Sequence, residues 1–154
     1  MCYSIRWARQ DEWIKTMDMI WRTFLKYDQK DCTEEGIRNF YEFITDSALH
    51  RAFLQGTYQM LVAVDGDRVV GAGTLRNKNH LSLLFVDEEY HKQGIGKDLM
   101  NSLCEYLKNE VGERCMSLTA APYAVDFYKK LGFAQIKPEM SYSGIRVTTM
   151  EKIF

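Results

Sequence analysis

The chain has 154 residues, of which 46% are hydrophobic and 13% aromatic, and its 20 Lys and Arg nearly balance 21 Asp and Glu. This length predicts one soluble domain with a single hydrophobic core, which we place at residues 1–154. The formal charge of −1 and the even spread of charge argue against nucleic acid and anionic membrane as partners.

The first residues and the cysteines indicate a cytoplasmic protein. Met1 to Arg6 lack the basic region and apolar stretch of a signal peptide, and the apolar runs, such as Leu83 to Val86, are too short to span a membrane. The four cysteines form no Cys-x-x-Cys pair and the three histidines are dispersed. We therefore expect reduced thiols and no metal site.

The apolar spacing predicts strands and helices along the whole chain, without a repeat or a flexible linker. Trp13, Met17 and Ile20 recur at the period of one helical face, Thr33 is a candidate N-cap, and Asp65-Gly66 suits a tight hairpin turn. In chain order we predict a strand at 5–8, a helix at 11–26, a helix from 34 that frays near 45–47 with a further turn to 54, strands at 58–64, 68–75 and 81–86, a helix after 96, a strand at 115–119, a helix at 122–131, and strands at 133–136 and 145–150.

A glycine loop, Gly94-Ile95-Gly96, connects the strand at 81–86 to the next helix. Glycines let backbone amides approach a ligand, and the first helical turn presents unpaired N–H groups at the positive end of the helix dipole. Such a turn binds phosphate oxygens, and Lys92 and Lys97 add positive charge. Taken alone, the loop is also compatible with an ordinary strand-to-helix connection.

Two other phosphate-binding motifs do not fit this loop. A P-loop requires Ser or Thr after its Gly-Lys pair, but Asp98 follows Gly96-Lys97. A dinucleotide-binding fingerprint requires a third glycine at the position of Leu99. Both nucleotide-binding motifs are therefore excluded.

Two stretches together resemble the GNAT superfamily of acyl-CoA-dependent N-acetyltransferases. His91 to Gly96 is similar to the family's phosphate loop, with His91 where the family has Gln or Arg, and Tyr128 to Phe133 matches its Tyr-x-x-x-Gly-Phe signature. The order of elements is similar along essentially the whole chain. The resemblance implies a mixed α/β (α+β) fold, with a mostly antiparallel sheet of six to seven strands, about four helices, and a splay between strands four and five.

The resemblance also implies acetyl-CoA as acyl donor and CoA as product. The strand before the loop would pair with the pantetheine arm as another strand would, and the loop amides would bind the pyrophosphate. The amides do not depend on the His91 side chain, whose own contact with the pyrophosphate stays open. The expected cofactor-binding residues are Leu84, Phe85, Val86, His91, Lys92, Gln93, Gly94, Ile95, Gly96, Lys97 and Tyr128.

Three residues are the candidates for catalysis that the resemblance implies. Tyr128 would be the general acid that protonates the departing thiolate, although a tyrosine at this helical spacing also fits the core. The backbone N–H of Val86 would stabilise the thioester carbonyl. His80 is a candidate base, since its ordinary pKa suits the task, but a surface position and a water-mediated route are alternatives.

The acceptor is expected to be a small-molecule or peptide amine, with Tyr27, Tyr41 and Tyr142 as candidate pocket residues. Two hypotheses follow. The first is an N-acetyltransferase in which a primary amine attacks acetyl-CoA directly in a ternary complex. The second is a noncatalytic acyl-CoA-binding or regulatory domain. By analogy with the family, a homodimer is a candidate oligomeric state.

Overall fold

The structure is a computed structural model that describes residues 2–154. No helix in this range is long and apolar enough to cross a membrane. The elements in chain order are β1 (Ser4–Trp7), α1 (Trp13–Tyr27), α2 (Glu34–Ile44), α3 (Ser47–Leu54), β2 (Gln59–Asp65), β3 (Arg68–Arg76), β4 (His80–Val86), α4 (Ile95–Glu105), a π-helical extension of α4 (Tyr106–Val111), β5 (Cys115–Ala120), a 3₁₀ turn (Pro122–Ala124), α5 (Val125–Lys130), β6 (Ala134–Gln135), β7 (Met140–Tyr142) and β8 (Ile145–Ile153).

The strands form one mixed sheet in the order β1-β2-β3-β4-β5-β8-β6, and β7 pairs with the first residues of β8. Every neighbouring pair is antiparallel except β4 and β5, which are parallel. The mostly antiparallel mixed sheet predicted from the sequence is therefore confirmed, with eight strands where six to seven were expected.

The pairing between β4 and β5 is short. Only His80 with Ser117 and Leu81 with Leu118 are partners across the two strands. On its other edge, β4 stays paired with β3 from His80 through Val86. Beyond Leu81, therefore, β4 has a neighbour on one edge alone, which is the separation that the expected splay requires.

Local sequence explains where the first helices begin. The Thr33 hydroxyl accepts a hydrogen bond from the Gly36 N–H (3.1 Å), so Thr33 is the N-cap of α2 as predicted. The carboxylate of Asp46 accepts one from the Ala48 N–H (2.9 Å) and starts α3 as a helix of its own. The predicted fraying of one long helix at 45–47 is thus a break between two helices.

The two faces of the sheet carry separate hydrophobic clusters. One lies under α1 to α3 and includes Trp13 and Ile20, and the other lies under α4 and α5 and includes Leu99. Helix α4 lies unusually close to β3. A Cβ at Gly71 or Gly73 would lie only 2.9 Å from a side chain of α4, so the absence of a side chain on these two residues permits the close approach. The sheet thus holds α4, and with it the glycine loop, against the end of β4.

Strand β7 was not predicted from the sequence, whereas its partner β8 was predicted as the strand at 145–150. The three residues of β7 are all exposed, and three residues are too few for an alternating pattern to identify a strand. The hairpin turn packs on the start of α2, where the Gly144 carbonyl accepts a hydrogen bond from the Thr33 N–H (2.9 Å). Asn39 also donates to the Ser143 carbonyl (3.1 Å).

Candidate active site

The loop before α4 has the geometry of an anion-binding turn. Gly94 is its N-cap residue at φ 83°, in the left-handed region that favours glycine, and Lys92 also has a positive φ of 63°. The first hydrogen bond into the helix runs from the Asp98 N–H to the Gly94 carbonyl (2.9 Å). The N–H groups of residues 95–97 therefore have no partner within the helix and point out of its N-terminus.

Gly96 brings the loop against α5. A Cβ at this position would lie 3.3 Å from Cζ of Phe127 and 3.8 Å from Cγ2 of Val86. The N-terminus of α4, the end of β4 and helix α5 thus meet at one glycine, which joins the two stretches singled out in the sequence.

Alternation along β4 decides which backbone groups face the gap between β4 and β5. The Asp87 N–H donates to the Val70 carbonyl of β3 (2.8 Å), so the backbone groups of Val86 and Leu84 point the other way, toward the gap. Phe85 is an exception to the expected pantetheine set, because its backbone faces Ala72 of β3.

A β-bulge lies further back along β4. Thr74 pairs with Leu83 and Leu75 with Leu81, which leaves Ser82 as the extra residue. Its hydroxyl accepts a hydrogen bond from the hydroxyl of Tyr58 (2.9 Å). The bulge shifts the alternation, so that Leu81 and Leu84 both contact the cluster under α4 and α5.

His91 ties the loop back to β4. Its Nε2 lies 2.7 Å from the Val86 carbonyl oxygen. A carbonyl only accepts, so Nε2 carries the proton and donates it. The Tyr27 ring contacts the other side of this imidazole, with ring centroids 5.1 Å apart. His91 thus fixes the shape of the loop, in addition to any contact with a phosphate.

Tyr128 lies on α5 with 7% of its surface exposed. Its ring packs edge-on against Phe127 and Phe133, at centroid distances of 5.1 and 5.8 Å. Burial, followed by the nearby charge of Asp28, raises the pKa of the phenol above its ordinary value of 10.0. The hydroxyl therefore keeps its proton at neutral pH, as a general acid must.

Asp28, directly after α1, is a site residue that sequence reasoning missed. The Tyr123 hydroxyl donates a hydrogen bond to its Oδ1 (2.8 Å). Burial raises the pKa of this carboxyl to about 6, and Asp31 adds to the rise, while the Tyr123 hydrogen bond and the charge of Lys30 oppose it. A single Asp after a helix has no distinguishing pattern, and its partner is 95 residues away.

His80, the base suggested by the sequence, lies at the closed end of the gap. Its Nδ1 is 2.9 Å from the Ser117 hydroxyl, where β4 and β5 still pair. Burial, followed by the charge of Arg76, lowers its pKa. Val86 is six residues further along an extended strand, or about 20 Å away. The structure therefore places His80 and the glycine loop at opposite ends of β4.

Residues 28–154 match the family described as the acetyltransferase (GNAT) domain. The chain belongs to the GNAT acetyltransferase family. The chain is also 31% identical, over 141 residues, to the peptidyl-lysine N-acetyltransferase YjaB of Salmonella typhimurium, a match that covers 86% of this chain and 84% of the relative. The resemblance drawn from the loop and from Tyr128 to Phe133 is confirmed.

Solved GNAT structures share the fold. A GCN5-related N-acetyltransferase from Rhodopseudomonas palustris superimposes with a TM-score of 0.84 at 23% identity, covering 100% of this chain and 97% of the other. The PaiA N-acetyltransferase from Thermoplasma acidophilum, solved in complex with coenzyme A, gives 0.84 at 19% identity with full coverage of both chains. The GNAT fold expected from the sequence is thus confirmed over the whole length.

The family comparison also gives the class of activity. The protein is a GNAT N-acetyltransferase, from a family that uses acetyl-CoA. Formation of an acetylated amine is what distinguishes this activity from acyl-CoA binding alone.

Proposed function

We propose that this GNAT enzyme transfers the acetyl group of acetyl-CoA to the primary amine of a lysine side chain in a peptide, by direct attack in a ternary complex. The observation that carries the proposal is the gap beside β4, which ends at the N–H groups of residues 95–97, with Tyr128 in the same hydrophobic cluster that Leu84 and Val86 contact. The Salmonella relative is a peptidyl-lysine N-acetyltransferase, which supports this acceptor class.

The residues of the gap fit the shape of the donor. The N–H groups of Ile95, Gly96 and Lys97 suit a pyrophosphate, and the exposed Lys92 and Lys97 add positive charge. The gap-facing backbone groups of Leu84 suit an extended amide chain such as pantetheine, since it would hydrogen bond as an added strand does, while the Val86 carbonyl already accepts from His91. Bound acetyl-CoA supplies an activated acyl group as a thioester.

Two groups are proposed to act on the thioester. The Val86 N–H, which faces the gap, stabilises the negative charge that develops on the carbonyl oxygen. The Tyr128 hydroxyl donates its proton to the sulfur as the C–S bond breaks, so that a thiol leaves and not a thiolate. The raised pKa of Tyr128 keeps the hydroxyl protonated, so it is available to hydrogen bond to the sulfur as negative charge develops there.

Direct attack is favoured because the cysteine beside the site is a poor nucleophile. The Cys32 thiol donates to the Asp28 carbonyl (3.3 Å), and burial, with the charges of Asp28 and Asp31, raises its pKa to about 11. Only a minute fraction is therefore thiolate at neutral pH, and the thiolate is the form that would accept an acetyl group.

An open depression beside the turn that follows α1 suits a peptide acceptor better than a small closed pocket would. It has a volume of about 500 Å³ and lies between the start of α2 and the hairpin of β7 and β8. Of the tyrosines suggested by the sequence, Tyr27 lies at the site beside His91 and Tyr142 is exposed on the hairpin, while Tyr41 packs on Trp21. The residues that line the depression include Asp31, Cys32, Thr33, Glu139, Gly144 and Arg146.

A product assay tests the proposed function. The purified protein is incubated with acetyl-CoA and either lysine-containing peptides, peptides with only an α-amine, or polyamines, and the products are measured by mass spectrometry. We expect acetylation of the lysine ε-amine with release of free thiol. Acetylation of polyamines alone would contradict the acceptor class, and binding of acetyl-CoA with no acetylated product from any amine would contradict the transfer itself.

A further inference from the structure

A lysine acceptor must lose a proton before it attacks. Its ammonium has an ordinary pKa of about 10.4, so only about 0.04% is neutral at pH 7. The base therefore has to lie where the amine meets the thioester. His80 meets this requirement poorly, since Ser117 holds its Nδ1 at the closed end of the gap.

We propose that Asp28 is the general base that takes the proton of the acceptor amine, and that Tyr123 is the residue that positions it. This inference rests on the proposed function. It is carried by the 2.8 Å hydrogen bond between the two residues, which joins the end of α1 to the 3₁₀ turn before α5. Tyr27, next to Asp28 in sequence, contacts His91 of that loop. On the other side, the charge of Asp28 is felt by the phenol of Tyr128.

The backbone holds Asp28 rigidly. Its N–H donates to the Phe24 carbonyl (2.9 Å), which ends α1. Its own carbonyl accepts from the Asp31 N–H (3.1 Å) and from the Cys32 thiol (3.3 Å). The backbone of Asp28 and its Oδ1 are thus both held, which is the preorganisation that a catalytic base needs, and Oδ2 is left for the proton.

The charged groups around Asp28 set its proton affinity. Asp31 raises the pKa of the carboxyl and Lys30 lowers it, both from the turn after α1. From the 3₁₀ turn and α5 it faces the hydroxyls of Tyr123 and Tyr128, and from its own turn the thiol of Cys32. Burial is the largest influence and places the pKa at about 6. Such a group is ionised at pH 7 and is still a stronger base than an ordinary carboxylate.

The step balances without any further reactant. The lysine ammonium gives one proton to Oδ2 of Asp28, and the lone pair that this frees forms the C–N bond. The C–S bond breaks with its electron pair on sulfur, which takes the proton of the Tyr128 hydroxyl. The nitrogen, which carries two protons after the C–N bond has formed, then gives one of them to the Tyr128 phenolate and becomes the amide nitrogen. The products are the N-acetyl lysine, the thiol of CoA and protonated Asp28, which returns its proton to water.

Asp28→Asn is the first variant of the test, because it keeps the size and the hydrogen bond to Tyr123 but cannot take a proton. We expect kcat with a lysine peptide to fall by about 10²-fold or more, with acetyl-CoA affinity unchanged as the check on folding. An aryl amine or hydrazide acceptor, which arrives neutral, should react with both proteins at similar rates. If Asp28 had a merely structural role, Asp28→Asn would lower kcat with both kinds of acceptor alike.

The pH profile of kcat/KM separates a base from other charges. In the unaltered enzyme the rate should fall as pH decreases through about 6, since protonated Asp28 cannot act. Tyr123→Phe removes a hydrogen bond to the ionised form of Asp28, so this fall in rate, the acidic limb of the profile, should move to higher pH. The matched variant Asp31→Asn removes a like charge and should move it to lower pH.

The outcomes are distinct from those of the product assay. If the unaltered enzyme acetylates lysine but Asp28→Asn keeps its rate and its acidic limb, the inference is wrong while the proposed function stands. If the limb survives in Asp28→Asn and disappears in His80→Gln, the base is His80. If no lysine product forms with any protein, the proposed function itself fails.

Discussion

The Nε2–H of His91 donates to the carbonyl oxygen of Val86 at 2.7 Å, and this bond closes the phosphate loop onto the end of β4. A GNAT loop usually begins with Gln or Arg, so the histidine is this chain's departure from the pattern. It is a contact between two parts of the protein, and it shapes the loop whether or not a ligand is bound.

Loss of this bond should weaken donor binding only in part. We expect His91→Ala to raise the Kd for acetyl-CoA about 2- to 10-fold, because one neutral hydrogen bond contributes about 0.5–1.5 kcal/mol while the loop amides remain. Isothermal titration measures the effect. Complete loss of binding would show that the imidazole is itself the main phosphate ligand, and an unchanged Kd would show that the loop holds its shape without it.

Tyr128→Phe tests the general acid. The ring keeps its contacts with Phe127 and Phe133, so we expect an unchanged Tm and acetyl-CoA Kd, but a kcat lower by about 10²–10³-fold. Tyr106→Phe is the matched control, since that hydroxyl binds Gln59 far from the loop. Equal turnover of the two variants would remove Tyr128 from the mechanism.

A buried ion pair at the start of the fold predicts a pH-dependent stability. Both Glu12 oxygens lie 2.8 Å from the Arg6 guanidinium, and this contact lowers the pKa of the carboxyl from 4.5 to about 2. A lowered folded-state pKa stabilises the protein above pH 4.5, and this contribution is lost as pH falls toward 2. The free energy involved is on the order of 3 kcal/mol.

Glu12→Gln should therefore lower the free energy of unfolding by about 2–3 kcal/mol at pH 7 and by much less near pH 2. Urea denaturation of both proteins at the two pH values measures the difference. A deficit that is the same at both values would mean that packing, and not the charge, accounts for the contribution of Glu12.

Gly36→Ala tests the docking of the late hairpin. A Cβ at Gly36 would lie 2.2 Å from the Gly144 carbonyl oxygen, so the hairpin has to shift. We expect a loss of about 1–3 kcal/mol in stability and a higher KM for the peptide acceptor, with the Kd for acetyl-CoA unchanged. Glu35→Ala, an exposed change in the same helical turn, is the control. An acceptor KM equal to that of the control would separate the hairpin from acceptor binding.

The local features of the site were predictable from the sequence. Gly94 and Gly96 follow a β-prone run and precede a helical period, so the loop could be recognised from consecutive residues. The same holds for Thr33 and for the hairpin turn at Gly66. Each of these depends on interactions within a few residues of chain.

The features that sequence reasoning missed depend on which elements the fold brings together. Asp28 and Tyr123 are 95 residues apart, and neither lies in a motif. The bulge at Ser82 decides which backbone groups of β4 face the gap, yet no residue type marks it. The backbone direction of Phe85 follows from its pairing with Ala72 of β3, and the residues next to Phe85 in the sequence do not reveal that pairing.

The most direct test of the account is isothermal titration with acetyl-CoA, using the unaltered protein, Gly96→Glu, and Asn109→Glu as a matched control. Gly96→Glu places a carboxylate among the amides of residues 95–97, whereas Asn109→Glu adds the same charge at an exposed position beyond the other end of α4. We expect saturable micromolar binding by the unaltered protein and the control, and none by Gly96→Glu. Equal binding by all three, or no binding by the unaltered protein, would contradict the assignment of the loop as the acetyl-CoA site.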